Sequence, residues 1–173
     1  MERAKKIFSK IYDQYVEKIY RFIFLIVNSK EIAEDLTSET FLRGWKNFKK
    51  NQIENPKAFL YKIAKNLIID FYRKKEKLKT VSAEAKPIAD KNINLEEKIL
   101  LNSDLKVVMN ALSKLREEYK DAIILYYLDG LPISEIAQIL DKSENATRVL
   151  ISRAMKNLRE EYEKGSKTCC NKI

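Results

Sequence analysis

The sequence predicts an all-α protein, with two small helical domains joined by a flexible linker and a helix-turn-helix in the C-terminal one. Glycine and proline, which interrupt helices, occur only three times each in 173 residues. Apolar residues recur three and four positions apart along most of the chain, and no segment shows the alternation of a strand. One stretch, "TVSAEAKPIADKNIN", lacks that periodicity and contains Pro87, so it is predicted to be the linker.

Three helices are predicted in the N-terminal domain, residues 1–79. The first covers about 4–28, where apolar residues keep helical spacing until the pair Asn28-Ser29 interrupts it. The second covers about 30–47. The third begins after Asn55, a residue type that caps helices, has Pro56 in its first turn, and continues to about Lys77.

Four more helices are predicted, at about 95–113, 116–128, 132–140 and 143–162. The first of them begins inside the linker, assigned to residues 80–104, and reaches into the C-terminal domain, residues 105–173. Gly130 suits the position that follows the end of a helix, where a left-handed backbone is common. Ser143 is expected to cap the last helix by accepting a backbone N–H.

The last two helices have the pattern of a helix-turn-helix, whose second helix enters the major groove of DNA. Inward positions of that second helix are predicted at Ala146, Val149, Leu150, Ala154 and Leu158. Outward positions are predicted at Thr147, Arg148, Ser152, Arg153 and Lys156. Arginine can pair with guanine through two hydrogen bonds, and both arginine and lysine hold phosphates. A helical hairpin with a solvated basic face is the alternative.

The third helix carries a second candidate for nucleic-acid binding. Its outward stripe holds Lys62, Asn66, Ile69 and Arg73, three and four residues apart, and further lysines lie nearby. Tyr61, Phe71 and Tyr72 alternate with this stripe. A basic groove with aromatic rings is suited to unpaired bases, whereas an ordinary helix with charged faces and core aromatics is the alternative.

The second helix has a stripe of a different kind, away from its main apolar face. It consists of Asp35, Glu39, Leu42 and Lys46. Acidic residues near a helix N-terminus are favourable in any protein, so the stripe has a purely structural explanation. The functional alternative is a docking stripe for a basic partner surface.

Composition excludes several classes of function. The net charge of +9 favours a polyanionic partner, nucleic acid first. Histidine, the commonest general base and metal ligand, does not occur in the sequence. Acidic residues are spread among lysines instead of clustering as a metal-dependent nuclease requires, so neither an enzyme nor a metal, cofactor or small-molecule substrate is expected.

The cysteines and the apolar runs indicate where the protein resides. Cys169 and Cys170 are adjacent near the C-terminus, which does not match zinc-site spacing, and they are interpreted as reduced and exposed. A redox or metal role for them is the alternative. No apolar run is long enough to span a bilayer, and "MERAKK" does not lead into a signal peptide. A cytoplasmic location is therefore expected.

Three segments in order resemble the extracytoplasmic-function sigma factors of bacterial RNA polymerase. They are "IAEDLTSETFLRGWKNF", "NPKAFLYKIAKNLIIDFYRKKEK" and "AIILYYLDGLPISEIAQIL" with the following "ENATRVLISRAMKNLRE". The resemblance covers nearly the whole chain. It implies a transcription initiation factor that binds core RNA polymerase and directs it to promoter DNA, and it implies regulation by an anti-sigma factor.

The resemblance also implies roles for individual residues. Contacts with the clamp helices of the polymerase's largest subunit are implied for Asp35, Ser38, Glu39 and Leu42. Contacts with the −10 element, including a base flipped into the loop 48–57, are implied for Phe48, Lys57, Lys62, Asn66, Arg73 and Lys74. Contacts with the −35 element are implied for Thr147, Arg148, Ser152, Arg153 and Lys156.

This chain departs from the family pattern at a few of these positions. Ser38 stands where glutamine is usual. The segment "NATRVL" replaces a common "GTVKSR", so that Val149 stands for a serine and Leu150 for an arginine. The rival hypothesis is a helix-turn-helix repressor that binds a palindrome as a dimer without polymerase. That hypothesis leaves the acidic stripe of the second helix and the Asn66 surface unexplained.

Overall fold

The computed structural model describes residues 2–51, 53–81 and 103–170, which fall into two compact units, one on each side of the linker segment. The regular elements of the described residues are all helical. The N-terminal unit consists of α1 (Glu2–Val27), α2 (Lys30–Phe48) and α3 (Pro56–Val81). The C-terminal unit consists of α4 (Ser103–Ser113), α5 (Glu117–Ile123) with a π-helical turn (Ile124–Leu128), α6 (Ile133–Leu140) and α7 (Glu144–Cys170). The all-α fold class is confirmed.

The core of the N-terminal unit forms where its three helices meet. Phe22 of α1 and Tyr61 of α3 are almost fully buried, with ring centroids 5.4 Å apart in an edge-to-face arrangement. Gly44 of α2 lies so close to α3 that a Cβ there would come within 2.8 Å of Leu60 Cδ2. Glycine at this position therefore lets α2 approach α3 closely.

The predicted helix boundaries of this unit rest on local backbone chemistry. Asn28 takes a left-handed conformation with φ of 52°, and its N–H donates to the Phe24 carbonyl at 2.8 Å, which ends α1. Asn55 caps α3, since its Oδ1 accepts the Ala58 N–H at 3.1 Å, and Pro56 is the first helical residue. Both predictions are confirmed, and α3 continues to Val81 instead of ending near 77.

The C-terminal unit is built around α7, against which α4, α5 and α6 all pack. The segment predicted as one helix over 116–128 is an α-helix that changes to a π-helical turn at Ile124. Gly130 has φ of 63°, and the neighbouring Leu131 N–H donates to the Leu125 carbonyl, so the prediction that Gly130 ends this helix is confirmed. Asp141 takes a left-handed conformation, with φ of 52°, and makes the tight break between α6 and α7.

The last helix starts as predicted and ends later. Ser143 Oγ accepts the Ala146 N–H at 3.2 Å, which is the expected cap. The helix then continues to Cys170, where its C-terminal part approaches α4: a Cβ on Gly165 would lie 3.3 Å from Val107. Most of the linker assigned to residues 80–104, and the start of the helix predicted at 95, lie outside the described residues. So do the side chains of Cys169 and Cys170.

Candidate nucleic-acid interface

The outer face of α7 presents most of the basic residues predicted for it. Its core side is filled by Thr147, Leu150, Ile151 and Ala154, all buried. Because a helix turns once every 3.6 residues, the positions between them point away from the core. The exposed predicted residues are Arg148, Ser152, Arg153 and Lys156.

The prediction that Thr147 faces outward is wrong. The side chain is fully buried, and its hydroxyl donates to the Ser143 carbonyl at 2.9 Å. A threonine can donate its hydroxyl to a carbonyl of the preceding turn and bury its methyl group, so it can occupy a core position. Because threonine is counted as polar, a pattern of apolar residues does not reveal such a position. The opposite error occurred at Ala146 and Val149, which were predicted inward and are exposed.

The two arginines of this face differ in their surroundings. The Arg148 guanidinium donates to Asn145 Oδ1 at 3.0 Å and to Glu144 Oε2 at 3.1 Å, so it is held against the first turn of α7. Within the described part of the chain, the side chains of Arg153 and Lys156 make no hydrogen bond or ion pair. These two cations can therefore meet a phosphate or a base without losing a partner in the described residues.

The stripe predicted on α3 exists as a surface. Ala64, Leu67 and Ile68 are buried, and the opposite side carries the exposed Asn66 and Arg73. Lys57, Lys62 and Ile69 are half-buried, and Lys74 is exposed beside the stripe. An uncharged amide thus lies at the centre of a basic helix face.

The three aromatic residues beside this stripe do not form a stacking platform. Tyr61 belongs to the core, and the Tyr72 hydroxyl donates to the Ile26 carbonyl at 3.1 Å, which ties α3 to the end of α1. Phe71 is half-buried, with Lys75 Nζ 6.0 Å from its ring centroid. Tyr61 and Tyr72 therefore serve the packing of the unit, whereas Phe71 keeps part of its surface beside the stripe.

Phe48 is committed to packing in the same way. It is the last residue of α2, and its ring centroid lies 5.6 Å from that of Phe8. Phe8 also contacts Trp45, with centroids 5.2 Å apart. The residue therefore anchors the start of the loop 48–57, and it is half-buried against α1.

The acidic stripe of α2 faces away from the core of the unit. Asp35 and Ser38 are exposed, and Leu42 retains 47% of its surface, which is high for a leucine. Glu39 is half-buried, and Arg43 Nε donates to its Oε1 at 2.6 Å. The buried threonines Thr37 and Thr40 lie on the opposite side of the helix. The four predicted docking residues thus share one surface.

Two features that mark other classes of protein are absent from the described residues. Within residues 2–51, 53–81 and 103–170, no group of three or more acidic, cysteine or histidine side chains is placed to hold a metal ion. No helix among them combines the length and the apolar character needed to cross a membrane.

Comparison with known proteins gives both units a family match. The family model for sigma-70 region 2 matches residues 11–78, and that for sigma-70 region 4 matches residues 105–158. The RNA polymerase sigma factor SigM of Bacillus subtilis, an ECF sigma factor, is 31% identical over 157 residues, which cover 90% of this chain and 95% of SigM. The ECF sigma factor BldN of Streptomyces coelicolor is 30% identical over 154 residues, 87% of this chain but only 58% of BldN.

Solved structures of low sequence identity share the fold. The sigma factor RpoE of Bartonella quintana, solved with the anti-sigma factor NepR, has a TM-score of 0.73 at 21% identity and covers 91% of this chain and 98% of that one. CnrH, solved with the cytosolic domain of CnrY, has a TM-score of 0.66 at 20% identity, with 90% and 87% of the two chains covered.

Proposed function

This chain belongs to the extracytoplasmic-function sigma factors of RNA polymerase, and on that premise we propose that it binds core polymerase and directs it to promoters by reading −10 and −35 elements. The observation that carries the proposal is the order of the two matched regions, each with an exposed polar stripe opposite its core. The repressor hypothesis is not favoured, because both matched regions describe sigma factors. A binding role without catalysis, performed in the cytoplasm, is part of the proposal.

The surface formed by Asp35, Ser38, Glu39 and Leu42 is proposed to dock on the polymerase. The exposed Asp35 carboxylate, the half-buried Glu39 carboxylate and the exposed leucine suit a basic surface with an apolar contact at its centre. Reversal of both charges, Asp35→Lys with Glu39→Lys, should abolish co-purification with core polymerase. The accompanying loss of the exposed Glu39–Arg43 pair costs roughly 0.3–0.5 kcal/mol, too little to unfold the unit.

A matched control lies on α1. Asp13→Lys with Glu17→Lys also replaces two acidic residues four positions apart by lysines, and both positions are exposed and lie outside α2. This variant should still co-purify with core polymerase. Normal binding by Asp35→Lys with Glu39→Lys, with circular dichroism showing unchanged helix content, would contradict the docking role.

The stripe of α3 is proposed to hold the −10 element during opening. Asn66 offers an amide that can pair with the edge of a base, and Lys62, Arg73 and Lys74 supply charge for the neighbouring backbone. Phe48 and Lys57 delimit the loop proposed to receive a flipped base. Asn66→Ala should leave closed-complex binding nearly intact and reduce permanganate reactivity of unpaired thymines.

The −35 element is proposed to contact Arg148, Ser152, Arg153 and Lys156. Thr147 leaves this set because it is buried. Arg153→Ala should weaken binding to the −35 duplex by about 1–3 kcal/mol if the guanidinium pairs with a guanine, and opening should be normal once the complex forms. Equal opening by Asn66→Ala and the parent on an intact promoter would refute the division of labour between the units.

An anti-sigma partner is proposed as well. Support comes from RpoE and CnrH, which share the fold and were solved bound to NepR and to CnrY. A tagged copy of the chain, purified from its host before induction, should carry a second protein that blocks binding to core polymerase. Recovery of the chain with core polymerase alone under every growth condition would contradict this part of the proposal.

A further inference from the structure

Val149 is an apolar residue in an unexpected place, on the outer face of α7. It retains 48% of its surface, while the core side of the same helix is filled by Thr147, Leu150 and Ala154. A β-branched residue with half of its surface exposed adds less to the core than its buried neighbours, and it lowers helix propensity slightly relative to alanine. Neither full burial nor helix stability therefore requires a valine at this position.

The groove beside Val149 is lined mainly by polar and charged side chains, with Tyr119, Ala146 and Leu150 as its other members. Asn145 lies one turn before it and Arg153 one turn after it, and all three border one shallow groove. Arg116 and Lys142 line the same groove, and Lys142 Nζ lies 3.5 Å from Glu118 Oε1. An exposed aliphatic group between an amide and a guanidinium offers the kinds of group that recognise base edges in a major groove, which present hydrogen-bonding atoms and the methyl group of thymine.

We propose that Val149 is a specificity-determining residue that contacts the 5-methyl group of a thymine in the −35 element. The inference rests on the proposed function, since α7 must lie in the major groove. The thymine methyl is the one apolar feature that a base presents there, and aliphatic side chains recognise it by contact. Val149 lies between two potential base readers, Asn145 and Arg153, so its methyl groups fall where base edges are expected.

The test removes the methyl group from the DNA and the side chain from the protein in turn. Holoenzyme, formed from the full chain and core polymerase, is bound to a promoter duplex found by run-off mapping. Each thymine of its −35 element is replaced singly by deoxyuridine, which lacks only the 5-methyl group. One replacement should weaken binding about three- to fivefold, the effect of one buried methyl-sized contact.

Val149→Ala provides the second half of the cycle. The variant should bind the parent promoter about three- to fivefold more weakly and should no longer distinguish thymine from deoxyuridine at that position. Alanine is the best helix former and the site is exposed, so the fold of α7 is not at risk. Lys156→Ala is the matched control on the same face: it should weaken both DNAs alike and keep the discrimination.

Each outcome either supports the contact between Val149 and a thymine methyl group or overturns it. Loss of discrimination in Val149→Ala alone supports the contact. A −35 element without thymine, deoxyuridine replacements without effect, or equal discrimination by Val149→Ala and the parent would overturn it. If the holoenzyme forms no promoter complex at all, the proposed function fails instead, because that result does not depend on any single methyl group.

Discussion

Removal of the cap at the start of α7 should separate the stability of the C-terminal unit from its affinity for DNA. Ser143→Ala deletes the oxygen that accepts the Ala146 N–H at 3.2 Å. Loss of an N-cap costs about 0.5–2 kcal/mol, and the exposed position of Ser143 places the expected value near 1 kcal/mol. For a unit of this size that corresponds to a fall in the melting temperature of about 4–8 °C.

The chain contains its own control for this measurement. Its single tryptophan, Trp45, lies in the N-terminal unit, in contact with Phe8. Tryptophan fluorescence therefore follows unfolding of that unit, whereas circular dichroism at 222 nm follows the helices of both. In Ser143→Ala, the part of the dichroism transition that belongs to the C-terminal unit should move and the fluorescence transition should stay.

A second substitution at the same position should keep the stability of the unit and weaken its binding to DNA. Ser143→Asp keeps a capping oxygen and adds a negative charge at a helix N-terminus, which favours the helix by roughly 0.3–1 kcal/mol. The same charge opposes DNA phosphates, so −35 binding should weaken while stability holds. Ser143→Ala with an unchanged melting temperature, or Ser143→Asp with unchanged DNA binding, would refute the reasoning.

Three more predictions concern packing, ionisation and the charge of the C-terminal unit. Gly44→Ala puts a methyl group 2.8 Å from Leu60 Cδ2 and should lower the free energy of unfolding of the N-terminal unit, measured by fluorescence in urea, by up to about 2 kcal/mol after the gain in helix propensity; Gly165→Ala should cost the C-terminal unit less, measured by circular dichroism, and equal costs would contradict this. Burial, and to a lesser extent the Glu34 carboxylate, raise the pKa of the Tyr20 hydroxyl above its ordinary 10.0. The folded state therefore keeps this proton more firmly than the unfolded state, so the free energy of unfolding is unaffected below pH 10.0 and falls as pH rises through the raised pKa. Glu34→Gln should lower the pKa of Tyr20 in an NMR titration. Residues 105–173 carry 12 basic and 10 acidic side chains, so the isolated segment should bind −35 duplex weakly and with a shallow salt dependence, and a slope that matches about eight or more contacts would contradict this.

The sequence was sufficient for the elements whose boundaries are set by local chemistry. Asn28, Asn55, Gly130 and Ser143 each act within a few residues along the chain, by a left-handed backbone or a side-chain cap. The exposed sides of α2 and α3 that carry the proposed docking residues and Asn66 were also predictable, because apolar residues at helical spacing mark the opposite, inward side of each helix.

The errors arose where tertiary packing decides between similar choices. The apolar face of α7 is narrow, so two rotations of the helix about its axis bury similar apolar surface. One buries Thr147, Leu150 and Ile151, as the structure shows, and the other would bury Ala146 and Val149. Packing against the other helices of the unit settles the choice, and periodicity along the chain does not contain that information. The change from α-helix to π-helical turn at Ile124 has no signal in the residue types "ILYYL" either. Whether Tyr61 and Tyr72 face the core or the solvent likewise depends on their partners in α1, Phe22 and Ile26, which are far away in the sequence.

Run-off transcription with purified core polymerase tests the central claim most directly. Core polymerase is incubated with fragments of the host genome, with and without the chain, and the transcript starts are mapped. We predict transcripts that depend on the chain, start at defined sites and share two upstream elements, and that disappear with the Asp35→Lys, Glu39→Lys variant. Sequence-specific binding of the chain alone to palindromic duplexes, with no transcript dependent on it, would contradict the proposed sigma-factor function.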